Sequence, residues 1–190
     1  MQKLLSQISK CTICADQLEH GVRPVVSLSS KSKILIIGQA PGIKVHLSGV
    51  PWDDKSGENL RAWMGIDSKT FYDPDQIGIL PMGFCYPGKG KSGDLPPRPE
   101  CAPKWHTMVY DHLESVSLTI LIGQYAQNYY LEKRLKTLTE TVRHYKDYLP
   151  DYFVLPHPSP RNNIWQAKNK WFKASVLPAL KNRVKEALDE

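Results

Sequence analysis

Lys33-Ile34-Leu35-Ile36-Ile37-Gly38 is the stretch that decides the fold of this chain. It is short, β-branched and apolar without alternation, and a glycine stops it. Such a run fits a strand buried on both faces, as in a parallel sheet. Three other runs read the same way: Ile77-Gly78-Ile79-Leu80, Leu118-Thr119-Ile120-Leu121-Ile122 before Gly123, and Tyr152-Phe153-Val154-Leu155. Helical segments alternate with them. One begins near Ser56 as N-cap, carries Leu60, Trp63 and Met64 on one face, and stops at Gly65. Another begins at Pro99 and carries Met108, Val109 and Leu113. Gly123 to Leu131 and Thr139 to Tyr148 flank the last two strands, and a final helix runs from Asn169 with a kink or break at Pro178. The alternation predicts one domain over residues 1–190. Its expected form is a three-layer α/β/α sandwich around a short, mainly parallel four-stranded sheet. Ligands of such sheets sit beyond the carboxyl ends of the strands. That points to the loops after Ile37 and after Leu155.

The chain's 190 residues suffice to bury a core, and an apolar fraction of 41% argues against disorder. No apolar stretch reaches the length of a membrane span, and Met1-Gln2-Lys3-Leu4-Leu5 leads into polar residues, not a secretory core. The expectation is a soluble, intracellular (cytoplasmic) monomer with no membrane partner. The net charge is +6, from 25 Lys+Arg against 19 Asp+Glu, which suits a polyanionic partner. Lys89, Lys91, Arg98 and Lys104 lie in or beside a Gly/Pro-rich loop, and Arg161, Lys168, Lys170 and Lys173 cluster further on. Two such loops, if they converge, form a groove for a phosphate backbone.

The four cysteines are Cys11, Cys14, Cys85 and Cys101. Intracellular proteins rarely rely on disulfides. A Cys-x2-Cys pair with a distant second pair can complete four-fold ligation of a metal or cluster. Between Cys85 and Cys101 glycine and proline are dense, and a loop with so little regular structure gains from being pinned. Zinc and a [4Fe-4S] cluster both accept four thiolates, and spacing does not separate them. Either one joins the N-terminal residues 1–32 to the loop 81–104.

Two loops carry the remaining chemistry. His157-Pro158-Ser159-Pro160-Arg161-Asn162 follows the last strand; its prolines end the ladder and leave a stiff loop bearing an imidazole, a hydroxyl, a guanidinium and an amide. Gly38-Gln39-Ala40-Pro41-Gly42 follows the first strand and lets backbone N–H groups approach a ligand. Beyond it come His46, Trp52, Asp53 and Asp54. The two carboxylates serve either chemistry or the start of the next helix, through capping and its dipole. Trp52 serves either as a stacking plate or as core.

Together these pieces resemble the uracil-DNA glycosylase superfamily, closest to its iron–sulfur families 4 and 5, over nearly the whole chain. The resemblance rests on the four cysteines, on Gly38 to Gly42, on Trp52, on Asp54-Lys55-Ser56-Gly57 and on His157 to Asn162. It implies a monofunctional glycosylase that hydrolyses the N-glycosidic bond of uracil, or of another deaminated base, flipped out of DNA for base excision repair. It implies catalysis by His157 and Asp54, and a base pocket from Gly38, Gln39, Ala40, Pro41, Gly42, His46 and Trp52. DNA contacts fall to Ser159, Pro160, Arg161 and Asn162, and a [4Fe-4S] cluster (alternatively zinc) to the cysteines. The chain departs from family 4 at Gln39, where Glu is usual, at Val45-His46, where an acidic pair is usual, and at Pro81, where a base-reading Asn is usual. Gln39 and Pro81 support the alternative of a uracil-DNA-binding or DNA-capturing protein of the same fold with weak or no turnover.

Overall fold

A computed structural model describes residues 1–189. The central sheet holds β1 (Ile34–Ile37), β2 (Ile77–Ile79), β5 (Leu118–Ile122) and β6 (Tyr152–Leu155), in the order β2-β1-β5-β6. All three ladders are parallel, with Ile34 opposite Ile77 and Leu118, and Thr119 opposite Tyr152. Every residue of β1 is fully buried, as expected for a strand covered on both faces. A small antiparallel hairpin, β3 (Lys89–Gly90) with β4 (Gly93–Asp94), interrupts the long loop after β2. The outer edge of β2 is closed by an incoming segment: Ser27 and Ile79 exchange backbone hydrogen bonds of 3.1 and 2.6 Å, and Val25 donates to the Phe84 carbonyl at 2.7 Å. That pairing removes an open sheet edge.

The helices are α1 (Gln2–Ser9), α2 (Ile43–Ser48), α3 (Lys55–Met64), α4 (Ser68–Phe71), α5 (Cys101–Tyr110), α6 (Gly123–Tyr130), α7 (Leu138–Arg143), α8 (Asn163–Lys168) and α9 (Leu177–Asp189). Helix α9 lies on β1 and β5 with α3 packed against it, while α6 and α7 pack on β5 and β6. The result is the expected α/β layering around a parallel sheet. No helix among the described residues is long and apolar enough to cross a membrane.

Several boundaries differ from the sequence reading. The N-cap of α3 is Asp54, not Ser56: its carboxylate accepts the Gly57 N–H at 2.9 Å. Helix α5 starts at Cys101, two residues after Pro99, and ends before Leu113. The segment 139–148 divides into α7, begun by a capping box at Thr137 and Glu140, and a 3₁₀ turn at Tyr145–Tyr148. Pro178 does not end the last helix. An i→i+5 turn over Phe172–Val176 runs directly into α9, so Pro178 lies two residues past a turn in which the regular i→i−4 ladder is already interrupted.

The connection from β1 leads out to β2, and the next one passes back over β1 to β5. The crevice at that reversal, beyond the carboxyl ends of β1 and β5, is where a ligand site belongs.

Candidate active site

A cleft of about 880 Å³ opens at that point. Its walls are the loop Gly38–Gly42, the segment 51–56, the hairpin 89–94, the start of α6 and the loop after β6. The two loops singled out in the sequence therefore meet.

Trp52 and His157 both line it and pack against each other, with ring centroids 5.7 Å apart and a 36° tilt. Trp52 takes φ = +58°, the only positive value at a non-glycine residue among those described. That conformation costs on the order of 1–3 kcal/mol and persists only where its surroundings over-determine it. The surroundings here do so. The Tyr72 hydroxyl donates to the Trp52 carbonyl at 3.3 Å, and Arg61 donates to that hydroxyl at 3.1 Å. A Cβ on Gly57 would stand 1.8 Å from the same carbonyl oxygen, and one on Gly38 would stand 2.9 Å from the indole ring. Both glycines are thus required by the seat of Trp52.

His157 follows β6, whose last carbonyl, Leu155, accepts from the Gln127 amide at 2.9 Å. The loop beyond is pinned from both sides. The Asn162 amide donates to the His157 carbonyl at 2.6 Å, and the Asn59 amide donates to the Pro158 carbonyl at 2.8 Å. The Ser159 backbone N–H donates to Nδ1 of His157 at 3.2 Å. A nitrogen that accepts carries no proton, so the neutral ring bears its proton on Nε2. Burial depresses the His157 pKa, against the opposing pull of the Asp54 and Asp94 carboxylates. The ring is neutral at physiological pH.

Asp54 lies on the cleft wall, but its Oδ1 is engaged as the cap of α3. Gln39 reaches towards the Leu95 carbonyl at 3.5 Å. Arg161 crosses the mouth of the cleft to the Ser92 carbonyl at 3.5 Å, so it joins the hairpin that bears Lys89 and Lys91. The two basic loops do converge. The Ser159 hydroxyl accepts the Arg161 N–H at 3.3 Å, which starts the 3₁₀ turn Pro160–Asn162. Asn162 is committed to the loop itself. His46 is buried on α2, packed near His20 and Tyr86 with Nδ1 unpartnered, and is not among the residues lining the cleft.

Three residues that matter were not read from the sequence. Asp94 projects from β4 to within 3.4 Å of where a Gly42 Cβ would lie, and Tyr86 donates to it at 3.5 Å. His106 sits under Pro81: its Nε2–H donates to the Pro81 carbonyl at 3.1 Å, and its Nδ1 faces the Tyr130 hydroxyl. Nothing in the local sequence marks Asp94, which is one of many loop acids, and His106 lies on an ordinary amphipathic helix face.

Burial pushes the His106 pKa down to about 4, while the unfolded chain titrates near 6.5. Between those values the unfolded state binds a proton that the folded state does not. Stability therefore falls as pH drops from about 6.5 to 4, by up to about 3 kcal/mol, and is level above that window. His106→Gln, which keeps a donor for Pro81 but does not titrate, is expected to flatten this acid limb in urea unfolding curves. An unchanged limb would assign the acid loss to other groups.

The four cysteines line one small pocket together with Leu18, Val22 and Phe84. Cys14, Cys85 and Leu18 form a buried cluster of their own, apart from the main core. Burial pushes the Cys85 thiol up to about 11 and the Cys101 thiol up to about 12. Among the described residues no three Cys, His, Asp or Glu side chains stand close enough to bind a single ion.

The crevice thus lies at the carboxyl ends of a parallel sheet and is lined by the turn Gly38–Gly42, by Trp52 and His157, and by the basic residues Lys89, Lys91 and Arg161. The family model of the Uracil DNA glycosylase superfamily matches residues 26–181. The chain belongs to that superfamily. The match starts after Cys11 and Cys14 and includes Cys85 and Cys101.

Proposed function

We propose that the protein is a monofunctional DNA glycosylase that removes uracil or another deaminated base flipped out of DNA. The observation that carries this reading is His157: a neutral ring with Nδ1 engaged by the Ser159 N–H, leaving Nε2–H as the donor. As the glycosidic bond lengthens, negative charge develops on the leaving base and positive charge on the sugar. A positioned donor to the base oxygen is worth about 3–4 kcal/mol. Trp52 supplies a face for the flipped base, and the turn Gly38–Gly42 brings backbone amides to its edge. The free oxygen of Asp54 and the carboxylate of Asp94 are the groups available to orient water and to offset the sugar cation. Arg161, with exposed Pro160, faces the vacated stack, and Ile164, 70% exposed one turn further on, extends that wedge. The Ser159 hydroxyl, which accepts from the Arg161 N–H, would donate its own proton to a flanking phosphate. Neither Gly38–Gly42 nor His157–Asn162 carries a lysine, and the lysines of the cleft, Lys89 and Lys91, sit on the hairpin; no strand cleavage is expected.

The test uses oligonucleotides carrying uracil, hypoxanthine or xanthine, followed by alkali cleavage of abasic sites. Excision from at least one supports the reading, and none from any would sink it. Binding without turnover is the alternative; the capping duty of Asp54, which occupies one of its oxygens, favours it.

The donor set fits the cluster implied by the iron–sulfur families. The four thiols line one small pocket, and thiolates suit a cluster or zinc alike; the cluster is the reading carried by the resemblance to the iron–sulfur families. Cys11, Cys14, Cys85 and Cys101 would hold it. Bound there, it would supply a structural tie between the N-terminal segment and the loop 81–104. Cys85→Ser is expected to lose the brown colour, the bound iron and several kcal/mol of stability together. Zinc in place of iron in the parent protein would overturn the assignment.

A further inference from the structure

A second concavity, about 440 Å³, lies beside the cleft between α6 and the start of α5. Tyr125 belongs to both walls. On α6, Tyr125, Asn128 and Tyr129 share one helix face at i, i+3 and i+4. Facing them are Pro96, Pro97 and Pro99, whose rings fix the backbone and leave the groove preformed. Tyr129 is 47% exposed, yet its ring does not hang free. It packs on Tyr130 at 5.1 Å and on His106 at 6.1 Å between centroids. His106 in turn holds the Pro81 carbonyl in the cleft wall.

We propose that this groove is a second nucleotide subsite, which takes an unpaired base of the single strand flanking the base held in the cleft. The proposal rests on the cleft being the seat of a flipped base. Tyrosine and proline faces suit a nucleobase of any sequence, because every base has a π-face. The charge also fits. No acidic residue lines the groove among those described. Exposed Lys104 flanks it on α5, while Lys89, Lys91 and Arg161 line the adjoining cleft. Arg98 is already paired with Glu100, so the lysines supply the free positive charge for a backbone. In a duplex the flanking bases are stacked and paired, and their faces are not available to Tyr129. The groove therefore favours single-stranded or frayed DNA.

The test is binding by fluorescence anisotropy to an undamaged oligothymidylate of about 12 nucleotides, within the span one such site covers, and to a duplex of equal length. Tyr129→Ala is expected to weaken oligothymidylate binding about tenfold, the scale of one lost base stack. Duplex affinity should stay unchanged, and Tyr129→Phe should retain parental binding. Equal affinities for the single strand, or equal losses on both DNAs, would overturn the proposal. If Tyr129→Ala does not fold, the parent protein still decides the matter. Photocrosslinking to 5-iododeoxyuridine in the strand, mapped by mass spectrometry, should reach Tyr129 or Tyr125, and crosslinks confined to other residues reject the subsite. Binding needs no excision. Tyr129-dependent binding without any excision would reject the glycosylase reading alone; excision with Tyr129-independent binding would reject the groove alone.

Discussion

His157→Ala is expected to lower single-turnover excision by about 10²–10³-fold while leaving affinity for substrate DNA near that of the parent. The separation follows from what the ring does. Before bond cleavage the base oxygen is a weak acceptor and a neutral Nε2–H gains little from it. In the transition state the same oxygen carries negative charge, and the donor is already in place because the Ser159 N–H holds Nδ1. The pH dependence tests the protonation state. Burial depresses the His157 pKa below its ordinary value, so the rate should be level through neutral pH and change only below the ordinary imidazole range. Protonation there must fall on Nδ1 and break the Ser159 contact. Asp54 pulls the pKa upward; removing its charge with Asp54→Asn should move the acid limb to lower pH. A rate that instead rises as pH falls through neutrality would mean that the imidazolium is the working donor. The neutral assignment would then be rejected.

The sheet was readable because its strands bury both faces, and such strands announce themselves as unbroken apolar runs. The four expected strands form with ends shifted by one residue at most. Helix starts were less readable, because Ser56 and Asp54 are both good caps and only the observed Gly57 N–H contact selects between them. The site splits along the same line. Gly38 to Gly42 and His157, Ser159 and Arg161 line the cleft, since the topology delivers those loops to one place; Pro160 and Asn162 do not line it. His46 did not reach it, because α2 turns its side chain inward, where Tyr86 and His20 pack near it. Asp94 stayed invisible because it arrives from a two-residue strand on the hairpin, and hairpin placement depends on contacts far along the chain. Asn162, a candidate DNA contact by sequence, turns its amide to the His157 carbonyl, a short-range bond that composition does not reveal.

Gly57→Ala is expected to be the most damaging single methyl that can be added to this protein. In the interior of an exposed helix the same change stabilises by about 1 kcal/mol. Here the new Cβ would stand 1.8 Å from the Trp52 carbonyl oxygen and 2.7 Å from its carbon. Both are backbone atoms, so no rotamer change relieves the clash. One way out moves the Trp52 peptide, which breaks the Tyr72 contact and releases the φ = +58° conformation that aims the indole at His157. The other shifts the first turn of α3 and loses the Asp54 cap, worth about 1 kcal/mol. Overpacking of this kind costs about 1–3 kcal/mol in stability. Excision should fall further than stability alone accounts for, because the stacking face is displaced even in the folded population. Gly21→Ala is the control: its φ is +78°, but nothing lies within 4 Å of the added atom, so it should cost stability and spare activity. A double-mutant cycle separates the two effects. With Trp52→Gly, which tolerates a positive φ and has no ring to aim, Gly57→Ala should still destabilise but should remove little further activity. If its effect on excision is as large without the indole as with it, Gly57 does not act by seating Trp52.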